Sequence, residues 1–135
     1  MTSIDPRLTT SSAYVTDLAL CQVRLSDNAS FPWILLIPQK EAVHEIIDLS
    51  LSDQHQLMKE ISQASCVMKD LFKPTKLNVA SLGNIVPQLH VHIVARFETD
   101  QAWPHPVWNS GVNESYPEDI KAVRLHQLKE SFLKE

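Results

Sequence analysis

The chain has 135 residues, and only two of them are glycines, Gly83 and Gly111. Walker-type and G-x-G-x-x-G loops need several glycines within a few residues, so neither kind of phosphate-binding loop can be built here. The 12 Lys and Arg residues against 16 Asp and Glu give a formal net charge of −4. This charge argues against nucleic acids and anionic membranes as partners, because both require a basic surface.

A chain of 15.3 kDa with 44% hydrophobic residues predicts one packed domain over residues 1–135. The first seven residues lack a basic region followed by an apolar run, and the longest apolar run covers only residues 33–37, so we expect a cytoplasmic location. Cys21 and Cys66 lack C-x-x-C spacing and are expected to be reduced and largely buried.

The first third of the chain predicts a loose start and then strands. Residues 1–12 are polar, and the apolar pattern of 13–25 predicts one or two strands. The cluster 26–30 predicts a turn, and the run 33–38 predicts a buried strand ended by proline. The second predicted strand and this run are expected to form an antiparallel hairpin with a polar tip.

A helix is predicted next, with Ser52 as its N-cap and Pro74 marking its end. Its apolar positions recur at steps of three and four: Leu57, Ile61, Ala64, Met68 and Leu71. Met58, Cys66 and Met68 are interpreted as filling gaps in the core rather than binding a metal. Residues 76–82 predict a further strand, followed by a turn at Gly83.

The C-terminal extension, 98–135, begins with residues 103–108, whose two prolines exclude regular structure. Ser115-x-x-Glu118 resembles a capping box that opens a terminal helix. Four residues are expected to supply its apolar face: Ile120, Val123, Leu128 and Phe132. The order of elements predicts an α+β fold with a largely antiparallel sheet.

The segment 85–97 carries a strong strand pattern, in which odd positions from Leu89 to Phe97 are all apolar. Side chains of a strand alternate between faces, so Gln88, His90 and His92 are expected to converge on one ligand. Arg96 lies about 20 Å farther along on the same face, too far to share that ligand with His90.

Three interpretations of this His-x-His pair remain open from the residues alone. A neutral imidazole is a good nucleophile near pH 7, and a second imidazolium can stabilise developing negative charge. Two histidines on a strand can also bind a metal, with a third ligand drawn from His44, His55, His105, Glu98 or a cysteine. The third interpretation is that the two histidines are structural.

The segment 78–96 resembles the signature of the histidine triad (HIT) family of nucleotide hydrolases and transferases, His-φ-His-φ-His-φ-φ with φ apolar. The apolar spacers, the trailing Arg96 and the upstream Gly83-Asn84 all match. The resemblance covers about residues 18–97 and looks closest to bacterial diadenosine-polyphosphate hydrolase-like members. It implies a sheet of about five antiparallel strands with a central and a C-terminal helix, a homodimer, and catalysis without a required metal or cofactor.

The resemblance also implies roles for individual residues. His90 stands at the position of the family's nucleophile and would form a nucleotidyl-histidine intermediate. His92 would donate to a non-bridging phosphate oxygen. Gln88 stands where the family has its first histidine, and it would hydrogen-bond the phosphate or leaving group without carrying a proton. A backbone carbonyl accepting from the His90 Nδ1–H would fix the attacking tautomer.

For nucleotide binding, the resemblance implies contacts from Asn78, from Gly83, and from Asp27 or Asn28 to the ribose, with Asp27 favoured. Ile85 stands where some members have a phosphate-binding serine. The expected function is cleavage at the α-phosphate of a purine nucleotide conjugate, either a dinucleoside polyphosphate or a nucleoside phosphoramidate. The alternatives are a nucleotide-binding protein with little turnover, because of the glutamine, and a metal-binding protein.

Residues outside the motif are given lesser roles. His44, His55 and His126 are interpreted as solvated surface histidines, and His105 as a loop histidine. The tryptophans Trp103 and Trp108 are expected to stack on a base, cover an edge of the sheet or pack at a subunit interface.

Overall fold

The structure is a computed structural model, and it describes residues 2–134. Five strands form one sheet: β1 (Ser12–Asp17), β2 (Cys21–Ser26), β3 (Trp33–Pro38), β4 (Lys76–Ala80) and β5 (Val91–Arg96). Their order is β1-β2-β3-β5-β4, and every neighbouring pair is antiparallel. The predicted α+β class and the five-stranded antiparallel sheet are confirmed.

The predicted hairpin is the β2–β3 pair, in which Cys21 lies opposite Pro38 and Leu25 opposite Ile34. The polar cluster 26–30 forms its tip. Residues 13–25 contain two strands rather than one, and the pairing of β1 with β2 shifts register between Tyr14 and Thr16.

The central helix, α2 (Leu51–Phe72), begins earlier than predicted because Ser50, not Ser52, is its N-cap. The Ser50 side chain accepts a hydrogen bond from the Asp53 N–H. The helix ends at Lys73, which adopts a left-handed conformation just before Pro74. A 3₁₀ turn over Ile46–Asp48 precedes it.

One face of α2 packs on the sheet, and its buried residues include Leu57, Ala64 and Met68. The core-filling role expected for Met58 and Cys66 is wrong, since both are exposed on the opposite side of the helix. Glu60, by contrast, is almost fully buried. Its carboxylate accepts from the N–H groups of Leu20 and Cys21 at 2.8 Å each, which joins the helix to the β1–β2 turn.

The N-terminal segment is more ordered than predicted. A short helix, α1 (Pro6–Thr9), begins with Asp5 as N-cap and Pro6 in its first turn. Leu8 of this helix is buried against Leu35, Ile37 and Val86. The segment therefore covers part of the sheet instead of forming a loose start.

The terminal helix is α3 (Glu118–Lys134), and it packs beside α2 on the same side of the sheet. Only half of its predicted apolar face is buried: Leu128 and Phe132 are in the core, whereas Ile120 and Val123 are exposed. No helix within residues 2–134 is long and apolar enough to cross a membrane.

The motif strand is shorter than the predicted 85–97, because β5 covers only Val91–Arg96 and is buried on both faces. Before it, Pro87 has no N–H to donate, and the Leu89 N–H donates to the Val43 carbonyl instead of a neighbouring strand. The segment that contains Gln88 and His90 thus follows the edge of the core outside the ladder, and strict alternation does not govern its side chains.

Candidate active site

His90 is buried at the residue that precedes β5, with only 6% of its surface exposed. Its Nδ1 lies 2.7 Å from the backbone carbonyl oxygen of Gln88. A carbonyl oxygen can only accept, so this contact places the proton on Nδ1 and leaves the Nε2 lone pair unprotonated. The backbone carbonyl expected to fix the tautomer of His90 is thereby supplied by Gln88.

His92 lies on β5 beside His90, with a distance of 4.9 Å between the two ring centroids. Its Nδ1 accepts a hydrogen bond of 3.0 Å from the indole Nε1–H of Trp33 on β3. Burial first, and the neighbouring His90 second, lower the pKa of His92 to about 3. His92 is therefore neutral near pH 7, and a second imidazolium, one of the possibilities raised by the sequence, is not available at this position.

Both histidines line a cleft of about 720 Å³. One wall comes from α1 and the tip of the β2–β3 hairpin, and another from residues 82–86. Residues 107–113 of the C-terminal extension close a third side. Apolar side chains from each wall and the sheet complete it: Leu8, Trp33, Leu35, Leu82, Val107, Trp108 and Val112. A cleft of this size and lining suits a small organic ligand with an apolar, ring-shaped part.

The side chain of Gln88 does not join His90 and His92, contrary to the expectation from alternation. Its Oε1 accepts from the Asp5 N–H at 2.7 Å, and its Nε2 donates to the Ser3 carbonyl oxygen at 3.2 Å. It is not among the residues lining the cleft. The side chain of Gln88 fixes the N-terminal segment, while its backbone carbonyl orients the imidazole of His90.

Asn78 is also displaced from the site. Its Oδ1 accepts from the guanidinium of Arg96 at 2.8 Å, and it does not line the cleft. Arg96 is 2% exposed and also binds the carboxylate of Asp100 and the carbonyl oxygen of His105. This buried network holds the loop that follows β5 against the sheet, so Asn78 has a structural partner where a ligand contact was expected.

The hairpin tip does reach the cleft, and its two candidates differ in how they are used. The Asn28 amide donates to the Val112 carbonyl at 2.9 Å and accepts from the Ser30 N–H at 3.1 Å, so it holds the loops together. Asp27 keeps 43% of its side chain exposed, although it pairs with Lys121 of α3 at 3.3 Å. Of the two, Asp27 is the side chain available to a ligand.

Gly83 lines the cleft at a φ of +76°, a left-handed conformation that glycine adopts without strain. Gly111, to which the sequence assigned no role, also lines the cleft, at a φ of +77°. The two glycines of the chain thus lie in two different segments that line one cleft.

The tryptophans of the C-terminal extension cover the face of the sheet that carries His92. The ring of Trp108 lies 5.3 Å from that of His92, and Trp103 lies 5.8 Å from the guanidinium of Arg96. Sequence reasoning offered base stacking as one possible role for Trp108 but did not place the rest of residues 107–113 in the site. The only sequence signal near this segment was the Trp-Pro element at 103–104 and the Pro-x-Trp element at 106–108.

The other histidines are remote from this chemistry. His44, His55, His105 and His126 are exposed, as expected for surface and loop histidines. Within residues 2–134, no group of three or more His, Cys, Asp or Glu side chains is placed to hold a metal ion. The described residues therefore do not supply the third ligand that the metal interpretation requires.

Comparison with known proteins found a matching family model and similar solved structures. The family model described as HIT domain matches residues 7–99. Among solved structures, a histidine triad protein from Bradyrhizobium japonicum is 40% identical, with a TM-score of 0.94 over 97% of this chain and 98% of that one. One from Marinobacter aquaeolei is 35% identical, with a TM-score of 0.95 over 99% and 98%. No curated protein matched the chain.

Proposed function

Because the chain belongs to the HIT domain family, we propose that it is a hydrolase or nucleotidyl transferase that cleaves purine nucleotide conjugates at the α-phosphate. One observation carries this proposal. The buried His90 has its Nδ1 held by the Gln88 carbonyl at 2.7 Å, and it lies in the wall of a cleft large enough for a nucleotide. This is the arrangement that a nucleophilic imidazole requires, since it keeps the Nε2 lone pair available for attack.

In the proposed reaction, the Nε2 lone pair of His90 attacks the α-phosphorus in line. A nitrogen–phosphorus bond forms, and the bond from phosphorus to the leaving group breaks with its electron pair going to that group. The resulting positive charge is shared over the ring, and the Gln88 carbonyl stabilises it through the Nδ1–H. Water then attacks the phosphorus, releases the nucleoside monophosphate and a proton, and restores the neutral imidazole.

Two other residues are assigned roles in binding. The Nε2–H of His92 would donate to a non-bridging oxygen of the phosphate, which gains charge in the transition state. Asp27 would contact the ribose hydroxyls, because its side chain lines the cleft and stays partly exposed. The apolar residues contributed by α1, β3 and residues 107–113 would enclose the base.

A second candidate function, nucleotide binding with little turnover, is favoured by a specific observation. The Gln88 side chain is occupied by Asp5 and Ser3, and burial, with His90 second, lowers the pKa of His92 to about 3, so its ring is not an imidazolium near pH 7. Neither group supplies a proton readily to a leaving group, and slow cleavage would follow. The metal-binding alternative has less support, because residues 2–134 place no third ligand beside His90 and His92.

One experiment separates these functions. The protein is incubated with a dinucleoside polyphosphate or an adenosine phosphoramidate, and AMP is measured with and without a chelator. Catalysis through His90 predicts AMP that is lost in His90→Asn and unaffected by the chelator, while that variant still binds nucleotide. Binding alone predicts a nucleotide-induced rise in melting temperature without AMP. Metal dependence predicts that the chelator abolishes activity or lowers stability.

We also propose that the protein forms a homodimer through β4, in the cytoplasm. β4 lies at one edge of the sheet, where its outer backbone groups are free to pair with another chain. Val79 on this strand is 46% exposed. A second copy of the strand would cover this apolar side chain and extend the sheet.

A further inference from the structure

We propose that Trp33 is a positioning residue, which holds His92 in the tautomer that carries its proton on Nε2 and so aims one N–H donor at the substrate phosphate. This assignment rests on the proposed function for its catalytic consequence, but its structural claim is independent of turnover. It starts from the 3.0 Å hydrogen bond between Trp33 Nε1 and His92 Nδ1.

The direction of this hydrogen bond is fixed by chemistry. An indole nitrogen carries a hydrogen and has no lone pair to accept with, so it is always the donor. The Nδ1 of His92 must therefore be the acceptor, and in the neutral ring the proton is on Nε2. His90 shows the opposite arrangement, because the carbonyl partner of its Nδ1 is always an acceptor. The two neighbouring histidines are thus held in opposite tautomers. The Nε2 of His90 has a free lone pair, whereas the Nε2 of His92 carries a hydrogen and can donate it.

The surroundings of His92 reinforce this state. Trp108 packs edge-on against the His92 ring at 5.3 Å and against Trp33 at 5.8 Å. The strand neighbours across the sheet are Leu35 on β3 and Ala80 on β4, both uncharged. Protonating the ring at Nδ1 would break the bond from Trp33 and place a cation among these residues.

The titratable and charged groups around His92 are few in the described chain. His90 is the nearest, at 4.9 Å between ring centroids, and it opposes a second positive charge. Asp27 lines the same cleft from the hairpin tip, and Arg96 on β5 points to Asp100. The lowered pKa of His92 agrees with this environment, so the ring is expected to act as a hydrogen-bond donor and not as a proton carrier.

The test uses the full chain labelled with ¹⁵N in its histidines. In the unchanged protein at pH 7, the His92 nitrogens should show an unprotonated Nδ1 and a protonated Nε2. In Trp33→Phe, which keeps an aromatic ring but removes the donor, a measurable fraction of the Nδ1–H tautomer should appear. With nucleotide substrate, kcat should fall at least about tenfold, because part of the His92 population would then lack the Nε2–H donor, while KM stays within about threefold.

Trp108→Phe is the matched control. Trp108 touches the same ring, but its Nε1 has no hydrogen-bond partner among the described residues, so this variant should leave the His92 tautomer unchanged. An equal tautomer shift in both variants would overturn the proposal, since packing alone would then explain it. A protonated Nδ1 in the unchanged protein would overturn it outright, even if Trp33→Phe failed to fold. A protein without turnover but with the expected tautomers would refute the proposed function and leave the assignment of Trp33 standing.

Discussion

The loop that carries Trp108 to the active site should depend on the buried Arg96–Asp100 pair. The Asp100 carboxylate, 5% exposed, lies 2.8 Å from the Arg96 Nε and also accepts from the N–H groups of Phe97, Ala102 and Trp103. Burial would raise the pKa of this carboxyl. The hydrogen bonds from Arg96 and the three N–H groups outweigh that effect and lower the pKa from 3.8 to about 2.

The change to test is Asp100→Asn, which keeps the size of the side chain and removes its charge. A pKa lowered by close to two units corresponds to about 2.5 kcal/mol of stability at neutral pH. A depressed carboxyl pKa contributes stability above the unfolded-state value, and this contribution is lost as the pH falls through the folded-state value near 2. The variant should therefore lose about 2–3 kcal/mol of unfolding free energy at pH 7, and the difference should shrink below pH 4.

The assay is urea denaturation between pH 2 and pH 8, a range that includes both the folded-state and the unfolded-state pKa of Asp100, followed by circular dichroism. Asp53→Asn serves as the control, because Asp53 pairs with Lys40 at 3.6 Å on the surface and should cost less than about 1 kcal/mol. A loss at pH 7 as small as that of the control, or a loss that does not change with pH, would refute this reasoning.

Four further predictions concern the site, the thiols and the assembly. Gln88→Ala should leave kcat within about threefold, since the backbone carbonyl remains. Its KM should rise and limited proteolysis near the N-terminus should become faster, because the contacts to Asp5 are lost. A loss of kcat as large as that of a His90 variant would contradict this prediction. In a series of aryl esters of AMP, turnover should rise more than about threefold for each unit by which the leaving phenol is more acidic, and a flat series would indicate an unrecognised proton donor. A thiol reagent should modify the exposed Cys66 quickly and Cys21 only on unfolding, because burial first, and Glu60 second, raise the pKa of Cys21; equal rates would contradict the burial. Val79→Lys should shift the protein from dimer to monomer in sedimentation analysis, and an unchanged dimer would exclude β4 as the interface.

Patterns that depend on local chemistry were predicted well from the sequence. The polar turn at 26–30 between apolar runs marked the hairpin, and helical periodicity from Leu57 to Leu71 marked α2. The His-x-His pair and its apolar spacers pointed to two residues that line the cleft, His90 and His92. Each of these signals is carried by residues close together in the chain, where strand and helix periods are set directly by the side chains.

Features that depend on distant partners were missed. The alternation that placed the Gln88 side chain beside His90 assumed a strand, but a bond to Asp5, 83 residues earlier, removes it from the site. The side chain of Asn78 accepts a hydrogen bond from Arg96, and the spacing of the motif residues in the sequence does not identify this partner. The order of the first ten residues had a usable signal, since Asp5-Pro6 is a good helix start. Apart from Trp108, residues 107–113 had no such signal, because their contacts form only when the loop folds back over the sheet.

The hydrogen bond from His90 to the Gln88 carbonyl does not depend on which side chain stands at position 88. The group that orients the proposed nucleophile belongs to the main chain, so every amino acid at position 88 except one that distorts the backbone can provide it. In this chain the side chain at position 88 anchors the N-terminal segment, while the main-chain carbonyl of the same residue still accepts from the His90 Nδ1–H. Glutamine at position 88 therefore changes the side-chain contacts of this segment and leaves in place the main-chain contact that orients the His90 ring.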